Sequence, residues 1–217
     1  MGDSGADWWL KLLNPQDENG RRRTALLEAA FDVIAKAGFE GLRMRAVAQR
    51  VGVNIATLHY YFSSKQELIE GLAQLIGAKF VTLHGPIPKT TGLPALDRLR
   101  QEFSDGRYYL QEHPEMLLVM QEFTLRGKRD PQVQTVVERM GGHWRRGIEE
   151  LVRQGLTDGT FRADMEASEI TLMLMAIFSG TGTFSRDQMN RIERNTEEWI
   201  LSEKTKRNLK KRAGAKQ

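Results

Sequence analysis

From Arg22 onward, apolar residues recur three and four positions apart, the spacing of one face of an α-helix. The first stripe is Leu26, Ala29, Ala30, Val33, Ile34 and Ala37, and Gly38 stands where a C-cap glycine ends a helix. A second stripe, Met44, Val47, Ala48 and Val51, stops at Gly52, and a short third helix is expected from about Ile55 to Tyr61. Ser63 or Ser64 suits the N-cap of a fourth helix, with Glu67 three residues after Ser64 as in a capping box. That helix carries Leu68, Ile69, Leu72, Leu75, Ile76, Phe80 and Leu83. The stretch from His84 to Pro94 holds three prolines and two glycines and reads as a loop and a domain boundary. Five more amphipathic helices are expected near 94–112, 114–126, 131–155, 166–184 and 187–212. No segment sustains period-2 alternation, so the expected fold is all-α, with about nine helices.

Residues 42–68, LRMRAVAQRVGVNIATLHYYFSSKQEL, carry the chemistry. Two helices that cross steeply through a tight turn need glycine at the turn, where positive φ is cheap, and Gly52 supplies it. The crossing needs a small residue, Ala48, and an apolar wedge, which Val47, Val51, Val53, Leu58 and Tyr61 provide. Taken as a set, these spacings are those of a helix-turn-helix, whose second helix lies in the major groove of DNA.

Composition sharpens this. The net charge is +4, but residues 21–65 hold eight basic and three acidic residues, a net +5 in that segment. A second basic run, Lys204 to Lys216, reads as a solvated tail. Without cysteine there is no disulfide and no thiolate metal site. The first 20 residues lack the basic and apolar regions of a signal peptide. The most apolar stretch, Ile170 to Phe184, is shorter than the roughly 18 residues a membrane span needs. The chain therefore reads as soluble and cytoplasmic, with no membrane partner. The four histidines, His59, His84, His113 and His143, have no metal-ligand spacing, so no metal and no cofactor is called for. Gly-Asp-Ser-Gly at positions 2–5 and Gly180-Thr-Gly182 lack the surroundings of a serine nucleophile or a dinucleotide loop, and no catalytic residue is assigned.

The helix Arg22–Ala37 followed by GFEGLRMRAVAQRVGVNIATLHYYFSSKQEL resembles the DNA-binding domain of the TetR (tetracycline-repressor) family. Gly38, Phe39, Val47, Ala48, Gly52, Val53, Thr57, Leu58, Tyr61, Phe62, Lys65 and Leu68 fill the matching places over about residues 21–68. Arg43, Ala46, Ile55 and His59 depart from the family's usual residues. The resemblance implies a sequence-specific transcriptional regulator and not an enzyme. It implies phosphate contacts from Thr57, His59 and Lys65, added charge from Arg43 and Arg45, and base reading by Asn54, Ile55, Ala56 and Tyr60. Arg21 to Arg23 suit either phosphates or an adjacent minor groove.

The same resemblance implies a homodimer on a pseudo-palindromic DNA operator, joined through the last two long helices, about 166–184 and 187–212. The run Leu172, Met173, Met175, Ala176, Phe178, Gly180 and Gly182 is apolar or small on more than one face, as a helix buried on most sides must be. The organisation is then an arm, 1–20; a helix-turn-helix domain, 21–68; a helical effector-binding and dimerisation domain, 69–212; and a tail, 213–217. Phe103, Tyr108, Met116, Met120, Phe123, Trp144 and Met173 are candidates to line a pocket for a small apolar effector. At helical spacing the same residues equally suit plain core. Trp8 and Trp9 suit either a short docked helix or a flexible arm.

Overall fold

A computed structural model describes residues 17–82 and 92–214. The Trp8-Trp9 segment, Leu83, the loop up to residue 91 and the last three residues lie outside it. The described chain divides into two compact units: 17–82 with Glu115–Met140, and 92–114 with 141–214. The sequence-based boundary at 68/69 does not follow these units, because the fourth helix and residues 115–140 share a core with the helix-turn-helix.

In the first unit, α1 (Glu18–Gly41) begins where Asp17 Oδ1 accepts from the Gly20 N–H at 2.6 Å. Gly38 interrupts it at φ +65° and ψ −177°, a backbone state open only to glycine, so the helix predicted to end there kinks and adds one more turn. α2 (Met44–Val51) ends at Gly52, left-handed at φ +74°, whose N–H closes onto the carbonyls of Ala48 and Gln49. α3 (Ile55–Tyr61) and α4 (Lys65–Thr82) follow. Leu26, Leu27, Ala30, Ile34, Leu42, Val47, Ala48, Leu58, Phe62, Leu68 and Leu72 are each no more than 2 % exposed, so α2 and α3 are fixed by one packed wedge. α6 (Pro114–Gly127) and the start of α7 (Pro131–Thr157) add Met116, Val119, Phe123, Val133 and Val136 to that core.

The second unit packs α5 (Ala95–Glu112), the rest of α7, α8 (Ala167–Ser179), α9 (Arg186–Ile200) and α10 (Glu203–Gly214) around Leu99, Phe103, Ile148, Val152, Ile170, Leu174, Met189 and Ile200. Arg100 grips Glu197 with two hydrogen bonds of 2.6 and 2.8 Å, and Arg107 pairs with Glu193, tying α5 to α9. Two predicted helices are shorter than expected. The 166–184 segment stops at Ser179, passes through a 3₁₀ turn (Thr181–Thr183), and yields to the Ser185–Gln188 capping box of α9. The 187–212 segment breaks at Leu201 and Ser202. There the backbone of 160–162 pairs with it: Arg162 N–H donates to Ile200 O at 2.8 Å, and Ser202 N–H to Thr160 O at 3.0 Å. Ser202 Oγ then accepts from the Thr205 N–H at 3.3 Å and opens α10. Phe161, 1 % exposed, lies so close to Gly155 that a Cβ there would come within 2.2 Å of its ring.

Candidate nucleic-acid interface

The seven-residue α3 is too short to hold itself in water. Its inward side, Leu58 and the following Phe62, is fully buried, and that packing sets its pose. What remains outside is one face: Ile55, Ala56, His59 and Tyr60, at i, i+1, i+4 and i+5. Tyr60 is 77 % exposed and Ile55 36 %, large side chains that a helix leaves in water only at a cost. Tyr60 meets Tyr61 edge to face, 5.1 Å between centroids, which limits its swing. Tyr61 itself is half-buried against the core.

The start of α3 redefines Asn54. Its side chain is the N-cap: Oδ1 accepts from the Thr57 N–H at 2.7 Å and from the Thr57 hydroxyl at 3.0 Å. Both lone pairs of that oxygen are thereby used, so of the carboxamide only the NH₂ remains for a further partner. The Thr57 proton is likewise committed to Asn54.

Around this face stand exposed cations. Arg43 is the N-cap residue of α2 and makes no side-chain cap bond, and Arg45 is exposed on the first turn of the same helix. Lys65, exposed at the start of α4, sits beside Arg126, Glu40, Asp130 and Arg43. Desolvation of its stem, then the charge of Arg126, push its ammonium below the ordinary lysine value. The box expected at Ser64 is split between two serines. Ser64 Oγ accepts from the Glu67 N–H at 3.1 Å, while the Glu67 carboxylate takes the Ser63 N–H and hydroxyl, each at 2.8 Å. Those bonds, the hydroxyl first, hold the Glu67 carboxyl below its usual range.

Other basic residues are already engaged. Arg50 pairs with Asp32 at 2.6 Å, clasping α2 to α1. Arg21 and Arg22 both reach Glu18, and Arg23 lies over the Phe62 ring at 4.9 Å. Arg21, Arg22, Val51, Gly52 and Val53 line a shallow open depression of about 420 Å³ beside the turn.

Sequence reasoning missed two residues of α6. Glu122 Oε2 accepts from the Phe39 N–H at 2.8 Å, just past the Gly38 kink, and Arg126 pairs with Glu40 at 3.3 Å and Asp130 at 3.0 Å. Both hold the turn that hands the chain to α2 from more than 80 positions away, and no local pattern announces them.

The expected effector residues do not form one group. Met116 and Phe123 are buried in the first core with Met120 against it, while Phe103 and Trp144 belong to the second. Phe178, which the sequence places on the helix expected at the dimer interface, bridges Phe103 (5.0 Å) and Trp144 (6.2 Å) by ring contacts. Tyr108 meets His113 at 3.2 Å, and Met173 is 44 % exposed.

A helix-turn-helix locked by a buried wedge, with four residues of its second helix presented between cations, belongs to DNA-reading regulators. Residues 26–72 match the family described as bacterial regulatory proteins, tetR family. The HTH-type transcriptional repressor KstR2 of Mycobacterium tuberculosis (strain ATCC 25618 / H37Rv) is 25% identical over 145 residues, covering 67% of this chain and 72% of that protein. A putative TetR-family transcriptional regulator from Rhodococcus sp. shares the fold at TM-score 0.75 and 20% identity, covering 84% of this chain and all of that one. A putative transcriptional regulator from Saccharomonospora viridis, solved in complex with choline, does so at TM-score 0.69 and 23% identity, covering 84% and 98%. The matched segment, residues 26–72, is thus a DNA-binding domain of the tetR family of bacterial regulatory proteins. No helix among its described residues is long and apolar enough to cross a membrane.

Proposed function

We propose that this protein is a homodimeric repressor, working in the cytoplasm, that reads a pseudo-palindromic operator and releases it on binding a small, largely apolar effector. The observation that carries the reading is the exposed α3 face of Ile55, Ala56, His59 and Tyr60 on a helix pinned by Leu58 and Phe62. Ile55 and Ala56 suit thymine methyl groups, Tyr60 reaches furthest, and Asn54 offers its NH₂. Arg43, Arg45, Thr57, His59 and Lys65 contact phosphates, Thr57 by turning its hydroxyl proton away from Asn54. The DNA-contacting segment is 21–68.

For the dimer, α8 leaves Leu172 (64 % exposed), Met173 and Ala176 outward as an apolar stripe, whereas the outward residues of α9, Arg191, Arg194, Asn195 and Glu198, are polar. The shared interface draws its apolar area from α8 and its register from α9. Leu172→Glu should convert the dimer to monomer in sedimentation velocity. The effector reading rests on the ring cluster of Phe103, Trp144 and Phe178 in the second unit. The names of the KstR2 repressor and of the choline complex are consistent with a family that represses and takes small molecules.

Mobility shift on the DNA upstream of the gene tests the reading, with a selective complex at physiological salt as the expected result. Binding no tighter than to random duplex refutes it. The full burial of Phe103, Met116 and Phe123 favours one alternative, a solid body with no effector. An effector at 100 times its Kd would add about 2.7 kcal/mol of stability, so a thermal-shift screen separates the two.

A further inference from the structure

The corner between α6 and α7 carries three cations in four residues, Arg126, Lys128 and Arg129. It is a fixed corner: Arg129 N–H closes onto Arg126 O at 2.9 Å, and Asp130 Oδ1 accepts from the Gln132 N–H at 3.1 Å. It is also docked. Phe123 meets Phe39 edge to face at 5.0 Å, Glu122 takes the Phe39 N–H, and Arg126 reaches Glu40, three residues before Arg43. Arg126 spends its charge on Glu40 and Asp130. Lys128 and Arg129 are exposed and make no ion pair with the described residues. Uncompensated positive charges are thus held on the flank of the unit that already presents Arg43 and Lys65. Arg126 is close enough to Lys65 to disfavour its protonation.

Two unpaired cations on a rigid corner, continuous with a phosphate-binding surface, suit the same polyanion. We propose that the α6–α7 corner is a second phosphate-contacting patch, in which Lys128 and Arg129 hold backbone phosphates beside the half-site read by α3. The proposal rests on the DNA-binding reading above. Such contacts position without specifying: they raise affinity for all duplexes and steepen its salt dependence, leaving base preference alone.

The test uses the full chain carrying Lys128→Ala and Arg129→Ala, with Lys65→Ala as a parallel variant. Dissociation constants are measured across a salt series on operator-bearing DNA and on random duplex of equal length. Each lost phosphate contact lowers the slope of log K against log salt by about 0.9, so the double variant should lose about 1.8 per protomer. Affinity should fall on both duplexes by the same factor, with the specific-to-random ratio unchanged. Parental slope and affinity in the double variant, alongside a reduced slope in Lys65→Ala, would overturn the patch and leave the DNA-binding reading standing. A loss confined to operator DNA, at unchanged slope, would also overturn it. No salt-dependent binding by the parent protein would overturn both.

Discussion

Replacing Asn54 with alanine removes one oxygen that accepts two hydrogen bonds, from the Thr57 N–H at 2.7 Å and the Thr57 hydroxyl at 3.0 Å. The Thr57 amide lies in the first turn of α3, where no helix carbonyl is available to it. Loss of an Asn cap costs about 1 kcal/mol, within a range of roughly 0.5–2. A penalty of that size changes an equilibrium about fivefold. In a helix of seven residues few internal bonds absorb it. Amide hydrogen exchange at Thr57 should therefore quicken about fivefold in Asn54→Ala. Asn54→Ser, a comparable cap, should leave it near the parental rate. Asn54→Asp should keep the cap and gain from a negative charge at the helix N-terminus, yet bind DNA more weakly because that charge faces phosphates. Cap and base reader are thus separable. If Ala and Ser lost the same operator discrimination while Thr57 exchange stayed unchanged, the capping assignment would fail.

Three other outcomes are expected. Glu122→Ala strips the acceptor from the Phe39 N–H and should destabilise the first unit by about 1–3 kcal/mol, whereas Glu122→Gln keeps an oxygen there and should cost less; thermal denaturation of both variants checks this. Gly155→Ala drives a methyl into the Phe161 ring and should cost about 1–3 kcal/mol, seen as a fall in Tm that a second change, Phe161→Leu, partly restores. The Glu67 carboxyl is held low when folded, so its contribution is present at neutral pH and is lost as pH falls below the ordinary glutamate value, about 4.3. Exchange at the Ser63 amide should quicken in that acid window, and in Glu67→Gln this pH dependence should vanish.

Much of the first unit was legible in the sequence because its constraints are local. Gly52 must supply positive φ, Ala48 must be small, and the wedge residues repeat at helical spacing, so α2 and α3 run where the pattern places them. The Asn54 cap was visible too, as Asn54 with Thr57 three residues on, but the resemblance drew attention to bases instead. The break at Leu201–Ser202 was masked because α10 is almost wholly polar, and it is imposed by pairing with residues 160–162. Glu122 and Arg126 left no trace, since their partners are 83 and 86 positions away. The effector residues show a further limit. A methionine or phenylalanine has the same spacing whether it fills a core or lines a cavity, and the fold placed five of the seven candidates in two separate cores and Met173 at the surface.

The bond from Glu122 to the amide beside Gly38 bears on portability. Residues 21–68 look like a module that could be cut out or traded between regulators. Excised alone, that module would carry an amide whose acceptor stayed behind, and Phe39 would lose the ring it leans on. A chimera built to give this body a new operator should therefore transplant residues 115–140 together with the recognition helices. Otherwise the exchanged reader would arrive without the clasp that aims it.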